Sequence, residues 1–210
     1  PDDWDKKDPG YDNYGGPFVV PGEYTVRLSY GDAAVSQPVT VYFDPRFDAD
    51  LKVIQKNFDL TGKIGGWFNS LADAYAKISK MRKTISTLKG LMKDFESDKK
   101  GEILKSAGEL DKKLKALADK ITPDYDRKGI DDTAEVVEYE LYYPYSDISD
   151  SFEPPTQAAL VKLEKSKKMV QKVLEETNTL FETDVKAFVE LVKKSGFSIF
   201  TPYKPLEPIE

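Results

Sequence analysis

Apolar and polar residues alternate along two short segments near the start of the chain, as they do in half-buried β-strands. The first segment, residues 23–30, places Tyr24, Val26 and Leu28 on one face. The second, residues 37–43, places Val39, Val41 and Phe43 on one face. Turn residues Gly31 and Asp32 lie between them, so the pattern predicts a β-hairpin. Pro38 cannot donate to a strand ladder, which indicates an edge position or a strand start.

This hairpin predicts that something else lies against it. Two strands do not form a stable sheet in water unless a third strand or another layer covers their apolar face. We therefore expect the predicted inward face to meet a further strand or a partner.

The hydrophobic period changes after residue 47. Apolar residues then recur every three or four positions up to about Phe95, as in a heptad. A second run has Ile103, Ala107, Leu110, Leu114, Leu117 and Ile121. A third run, after Pro154-Pro155-Thr156, continues to Val192 and ends at Ser195-Gly196. Short reversals between long amphipathic helices predict antiparallel neighbours.

The sequence thus predicts an α+β fold: a short β-hairpin followed by an elongated antiparallel bundle of three main helices. Six segments are expected along the chain. They are an irregular N-terminal arm over 1–17, the hairpin over 18–46, a helical hairpin over 47–122, an extended Tyr- and Asp-rich arm over 123–153, a long C-terminal helix over 154–196 and a Pro-rich tail over 197–210.

Composition narrows the chemistry. The 210 residues include no cysteine and no histidine, which excludes disulfides, Cys/His zinc sites and a Ser-His-Asp triad. The net charge of −6 argues against nucleic acid as a partner. No segment approaches the ~20 apolar residues of a membrane span, and the sequence contains no signal peptide. Phosphate-binding loops are also absent, and we expect no cofactor.

Two groups of acidic residues resemble loops that bind hard cations. One lies in the N-terminal arm, and the other contains Asp124, Asp126, Asp131 and Asp132. Calcium takes several oxygen ligands from such loops. Neither group matches the EF-hand pattern, so solvated loop acids are the preferred interpretation and calcium the alternative.

The remaining candidate chemistry is carboxylate pairs and aromatic side chains. Paired carboxylates can hydrolyse glycosides, but those of this chain occur beside lysines at helical spacing, which is typical of surface ion pairs. Tyrosine and tryptophan can stack on sugars, and they are also enriched in protein interfaces, which we prefer here. The predicted interface residues are Trp4, Tyr24, Val26, Leu28, Val39, Val41, Tyr142, Tyr143, Phe200 and Tyr203.

Several short motifs resemble the C-terminal region of sortilin/VPS10-like BNR-repeat β-propeller proteins, which are often labelled glycosyl hydrolases. The shared motifs are the Val20-Pro21-Gly22 strand start with Tyr24, Val26 and Leu28, the return strand with Gln37, Pro38 and Val41, the junction Asp44-Pro45-Arg46, and Asp50-Leu51 with Gln55, Asp59 and Leu60 in the first helix. The helix that follows Pro155-Thr156 is similar to the last helix of that family. The resemblance covers most of 16–95 and 154–197.

The resemblance implies that the hairpin is the end of an incomplete β-sandwich whose earlier strands lie in another polypeptide. That polypeptide would be a larger propeller-containing chain, such as the N-terminal part of the same precursor, in a higher assembly. The Asp-box repeats of the propeller do not occur here, so any catalytic residues would lie in the partner. A secreted, periplasmic or cell-surface location is implied.

We therefore expect a non-catalytic assembly module. Two alternatives stay open: a glycan- or peptide-binding module that uses the Tyr-rich arm, and an accessory subunit of a hydrolase or peptidase complex.

Overall fold

A computed structural model gives a β-hairpin and a set of helices, which confirms the predicted α+β class with a helical bundle. The structure describes residues 19–46, 50–123, 135–149 and 151–198. The chain divides into two compact units. Unit 1 comprises residues 1–65 and 144–160, and unit 2 comprises residues 66–143 and 161–210.

The hairpin of unit 1 consists of strand β1, Gly22–Tyr30, and strand β2, Ala33–Val41. They pair in antiparallel fashion around the two-residue turn Gly31-Asp32. Gly31 has a φ of 56°, in the left-handed region that two-residue hairpin turns require at their first position. The return strand begins four residues earlier than the alternation of residues 37–43 predicts, because it includes Ala33, Ala34, Val35 and Ser36.

Helix α1, Leu51–Leu91, starts four residues after the change of period. Asp50 caps it: its carboxylate accepts a hydrogen bond from the Lys52 backbone N–H at 2.8 Å, which satisfies one of the amides that a helix start leaves unpaired. The buried stripe of α1 recurs at helical spacing. It contains Asn57, Thr61, Ile64, Leu71, Ala74, Ile78 and Ile85.

Helix α2, Lys100–Ile121, follows a short 3-10 segment at Met92–Asp94 and belongs to unit 2. All six apolar positions of the predicted second run are buried in it. This result confirms the second heptad. Steps of three and four residues place the six side chains on one side of the helix, and the other sides are mainly polar.

The last helix is interrupted once by a wider turn. Helix α4, Gln157–Leu180, continues through a π-helical segment, Phe181–Val185, into helix α5, Lys186–Lys194. The Thr156 hydroxyl accepts the Ala159 N–H at its start, and Gly196, with φ 73°, follows its end. A π-turn adds one residue to the helix, so the buried positions Thr177 and Val185 lie eight residues apart, where the heptad pattern would give seven.

Two ion pairs show the direction of the last helix relative to α2. Lys113 of α2 pairs with Asp184, and Lys120 pairs with Glu176. The later residue of α2 pairs with the earlier residue of the last helix, so the two helices run antiparallel. The Lys113 ammonium, and secondly the Thr183 hydroxyl, lower the pKa of the Asp184 carboxyl group below its usual value.

The extended arm predicted over 123–153 is wrong for residues 137–149, which form helix α3, Val137–Ser149. Its buried residues Val137, Leu141, Pro144 and Ile148 follow a helical period. The prediction of extended structure rested on the aromatic and acidic composition of this segment and did not use the helical spacing of its apolar residues. Residues 124–134 lie outside the described part of the chain.

A serine of α4 replaces the donor that Pro144 lacks. In a regular helix the N–H of residue 144 would bond to the Glu140 carbonyl. The buried Ser166 hydroxyl lies 2.7 Å from that carbonyl oxygen and 2.9 Å from its own Lys162 carbonyl. The Glu140 carbonyl therefore keeps a hydrogen-bond partner within unit 2.

We expect Ser166→Ala to lower the free energy of unfolding by about 1–3 kcal/mol, because it leaves a buried carbonyl unsatisfied. In a Pro144→Ala background the loss should be smaller, because the Ala amide donates to the same carbonyl. Urea denaturation of the four proteins of this double-mutant cycle measures the coupling. Equal losses of stability in both backgrounds would show that the Ser166 hydroxyl does not take the place of the N–H that Pro144 lacks.

Asp184→Asn should make the protein less stable at neutral pH, and the difference should disappear in acid. A carboxyl group with a lowered native pKa adds stability above its unfolded pKa, near 3.8, and loses it as the pH falls through the native value. Denaturation curves between pH 7 and pH 2 measure this difference. Glu182→Gln, at an exposed carboxyl group of the same turn, is the control and should show a smaller difference.

Candidate interaction surface

One face of the hairpin is apolar and exposed. The register places Tyr24 opposite Val39, Leu28 opposite Val35 and Gly22 opposite Val41, so these side chains share a face. The apolar face contains Tyr24, Val26, Leu28, Tyr30, Ala33, Val35, Val39 and Val41, together with one polar residue, Gln37, opposite Val26. Leu28 is 69% exposed, Val35 64% and Val26 58%. Among the described residues of this face, Val41 is part-buried and the other seven apolar residues are exposed.

Five residues of the apolar face are the hairpin residues that the sequence marks as an interface: Tyr24, Val26, Leu28, Val39 and Val41. The register places these five side chains together, as the alternation indicates. Their contact with a partner stays a prediction. Val35 is not among the predicted interface residues, because the predicted return strand begins at Gln37.

The opposite face of the hairpin is polar. Glu23, Thr25, Arg27 and Ser29 of β1 alternate with the apolar positions. Glu23 lies opposite Thr40 and Arg27 opposite Ser36, so each charge of β1 faces a neutral hydroxyl on β2. The two charged groups consequently have no cross-strand ion pair within the hairpin.

The junction after the hairpin is held by a local ion pair. The Arg46 guanidinium donates through Nε to both carboxylate oxygens of Asp44, at 2.9 and 3.0 Å, and the Arg46 backbone N–H donates to one of them at 3.0 Å. These hydrogen bonds lower the pKa of Asp44 and raise that of Arg46. Asp44-Pro45-Arg46 is thus a structural turn, although both groups are solvent-accessible.

A cavity of about 390 Å³ lies at the base of the hairpin within unit 1. Its lining includes Phe43, Asn57, Phe58 and Phe152, and the rings of Phe43 and Phe152 meet edge to face at 5.3 Å. Asn57 is 4% exposed, and its amide Nδ2 donates to the Ser151 and Glu153 carbonyls at 2.9 Å each. Its Oδ1 meets no donor among the described groups.

Sequence reasoning missed Asn57, because an asparagine between apolar helical positions gives no periodic signal. Its two long-range hydrogen bonds cross more than ninety residues of sequence. They hold the segment after α3 against α1 within unit 1. Asn57 is therefore a positioning residue of unit 1.

The tyrosines of α3 form a second exposed aromatic surface. Tyr139, Tyr142 and Tyr143 are spaced three and four residues apart, so they lie on one side of the helix. Tyr142 and Tyr143 are each 57% exposed. The Lys162 ammonium lies 5.0 Å from the centre of the Tyr143 ring, a cation–π contact within unit 2.

The other predicted residues fall on parts of the chain that the structure leaves undescribed. They are the interface candidates Trp4, Phe200 and Tyr203 and the calcium candidates Asp124, Asp126, Asp131 and Asp132. Within residues 19–46, 50–123, 135–149 and 151–198, no three acidic side chains converge as a metal site would require.

Carboxylates with lowered pKa values sit in ion pairs within the described chain. Lys113 lowers the pKa of Asp184, Lys193 that of Glu190, and Arg46 that of Asp44. A general acid or base instead needs a carboxyl group beside a pocket and free of a fixed cation. The shifted carboxylates are therefore structural groups.

Comparison with protein-family models, with curated proteins and with solved structures finds no match to this chain. The resemblance to sortilin-like BNR-repeat proteins accordingly stays a prediction from short motifs. None of the helices in the described ranges combines the length and the apolar character that crossing a membrane requires.

Proposed function

We propose that this chain is a non-catalytic assembly module that completes a sheet with a larger partner chain. The apolar face of the hairpin is the observation that carries the proposal. A surface of eight apolar residues around a single polar one, Gln37, with several side chains more than half exposed, is typical of a protein interface.

The physical need for a partner follows from the hairpin itself. Its strands gain one ladder of hydrogen bonds and little apolar burial, which leaves an isolated ribbon marginally stable in water. A third strand or a covering layer would bury the apolar face and contribute about 25 cal/mol for each Å² of apolar surface removed from water. Partner binding and hairpin stability are therefore coupled.

The motif resemblance supports a propeller-containing chain as the partner. In sortilin-like BNR-repeat proteins the corresponding hairpin ends a sandwich-like domain, and a larger β-propeller precedes it. On this proposal the module acts in a secreted, periplasmic or cell-surface assembly, and the helices of unit 2 brace the complex. Any activity belongs to the partner.

Native mass spectrometry of the complex isolated from its source, with peptide sequencing of co-purifying chains, tests the proposal. We expect a stable complex with a larger chain that contains Asp-box repeats. Leu28→Glu should weaken the complex at least about tenfold, because binding would bury an unpaired carboxylate. Ser29→Glu, one residue away on the polar face, should change it by less than about twofold.

Both variants replace exposed residues, so each should unfold at nearly the wild-type urea concentration. Recovery of the chain alone at physiological concentration would contradict the proposal. A complex that Leu28→Glu and Ser29→Glu weaken equally would place the interface away from the apolar face.

A second function is favoured by the tyrosine surface of α3. Three tyrosines on one side of a helix, two of them more than half exposed, could stack on a sugar or on an extended peptide. The proposal of a glycan- or peptide-binding module is then independent of the hairpin.

A glycan array probed with the purified chain separates the second function from the first. Binding of a defined glycan that Tyr142→Ala/Tyr143→Ala abolishes would support it. Tyr30→Ala, at an exposed tyrosine of the hairpin, is the matched control and should bind as the wild type does. A chain that binds no glycan, or a double variant that binds equally, would refute glycan recognition by α3.

A further inference from the structure

The turn of the hairpin determines which backbone groups point outward from each strand. In a two-residue turn the residues on either side, here Tyr30 and Ala33, exchange hydrogen bonds. Antiparallel ladders then alternate between hydrogen-bonded and non-hydrogen-bonded pairs. Thr25–Pro38 is the sixth pair from the turn, which makes it a non-hydrogen-bonded pair.

Pro38 therefore closes the outer edge of β2. At a non-hydrogen-bonded pair the backbone nitrogen of each residue points away from its partner strand. Proline at that position has no N–H and fills the edge with its ring, so an added strand would lack a donor and meet a steric block. The ladder with β1 loses nothing, because Pro38 is not one of its donors.

The outer edge of β1 carries no such block. The residues whose amides point outward from it are Glu23, Thr25, Arg27 and Ser29, and each has an N–H. All four residues are exposed, and no described strand pairs with this edge. An added strand would extend the apolar face on one side and the polar face on the other.

Charge defines what the added strand should contain. Glu23 and Arg27 lie on the polar face four residues apart, opposite neutral hydroxyls of β2. β2 therefore supplies no opposite charge to either group, whereas a strand added on the other side of β1 can supply both, and opposite charges on directly facing positions stabilise strand pairs. A partner strand with a basic residue facing Glu23 and an acidic residue facing Arg27 would satisfy both.

We propose that the outer edge of β1 binds an extended strand of the partner by β-augmentation. The strand has apolar residues at alternate positions and two opposite charges four residues apart. The proposal rests on the proposed assembly function and narrows it to one edge and one sequence pattern.

The experiment uses the whole chain and two synthetic peptides. The first, Thr-Val-Glu-Val-Thr-Val-Lys, carries the two charges at the required spacing, and the second, Thr-Val-Gln-Val-Thr-Val-Gln, is its neutral counterpart. Backbone amide resonances of the chain are followed by NMR as each peptide is added up to millimolar concentration. The resonances of Glu23, Thr25, Arg27 and Ser29 should shift, and those of Ser36 and Thr40 on the outer edge of β2 should not.

Matched proline variants test the edge. Thr25→Pro removes an outward donor of β1, and Ser36→Pro removes one from the outer edge of β2 that Pro38 already closes. Neither amide takes part in the hairpin ladder. We expect Thr25→Pro to weaken binding of the first peptide at least about tenfold and Ser36→Pro to leave it within about twofold.

The charges are tested in the same titrations. The first peptide should bind about fivefold more tightly than the neutral one, and the Glu23→Gln/Arg27→Gln variant should bind both equally. If a proline variant unfolds the hairpin, the edge is tested instead by amide hydrogen exchange of the wild-type chain. The outward amides of β1 should then exchange more slowly in the presence of the peptide.

Three results would overturn the inference: no binding at millimolar peptide, shifts centred on the outer edge of β2, or equal binding of the two peptides by the wild-type chain. These results are distinct from failure of the proposed function. A native complex that Leu28→Glu disrupts but Thr25→Pro leaves intact would keep the assembly function and reject β1 augmentation.

Discussion

Burial of one apolar stripe on each helix is the interaction on which this chain depends. The hairpin strands bury almost nothing, whereas the buried apolar side chains of the described residues lie almost entirely in the helices. α2 shows the principle: six positions at steps of three and four are buried, and charged residues cover its other sides. Stability in unit 2 therefore comes from side-chain packing, with exposed ion pairs such as Lys120–Glu176 contributing little.

The hairpin differs from the helices. Its two strands are paired by backbone hydrogen bonds, but its apolar face is exposed. A soluble chain seldom exposes a contiguous apolar surface without a reason that concerns binding. The alternation is regular over the nine residues of β1 and is broken in β2 by Ala34 and Gln37, so the two-residue turn fixes the register of the hairpin. Pro38 adds an asymmetry: one edge of the ribbon is closed and the other is available. The hairpin thus combines the features of an interface with a defined orientation.

The sequence predicted the elements whose signal is local. The hairpin, α2 and the boundaries of the last helix follow from alternation, heptads, Thr156 and Gly196. The prediction failed at α3, where aromatic and acidic composition was taken to indicate extended structure although Val137, Leu141 and Ile148 have helical spacing. Pro144 also removes one helical donor, and the hydroxyl that bonds to the Glu140 carbonyl belongs to Ser166, in a helix more than twenty residues away. Only a folded chain brings that hydroxyl to the Glu140 carbonyl.

The candidate surface shows the same division. Five residues of the apolar face could be identified from period-two alternation alone, since alternation fixes which side chains share a face whatever surrounds the strand. Val35 required the observed register. The cavity at the base of the hairpin and the hydrogen bonds of Asn57 were not predictable, because they join α1 to carbonyls over ninety residues later in the chain.

Residue types and local patterns were sufficient to predict the class of fold and the periods of its helices and strands, and they exclude cysteine and histidine chemistry. These properties depend on residue type and on neighbours within a few positions. The tertiary structure alone decided that residues 137–149 are helical, that Asn57 is buried and that the hairpin turn leaves β1 as the open edge. Each of these depends on groups far apart in sequence or on which strand pairs are hydrogen-bonded. A pattern of hydrophobic residues specifies neither.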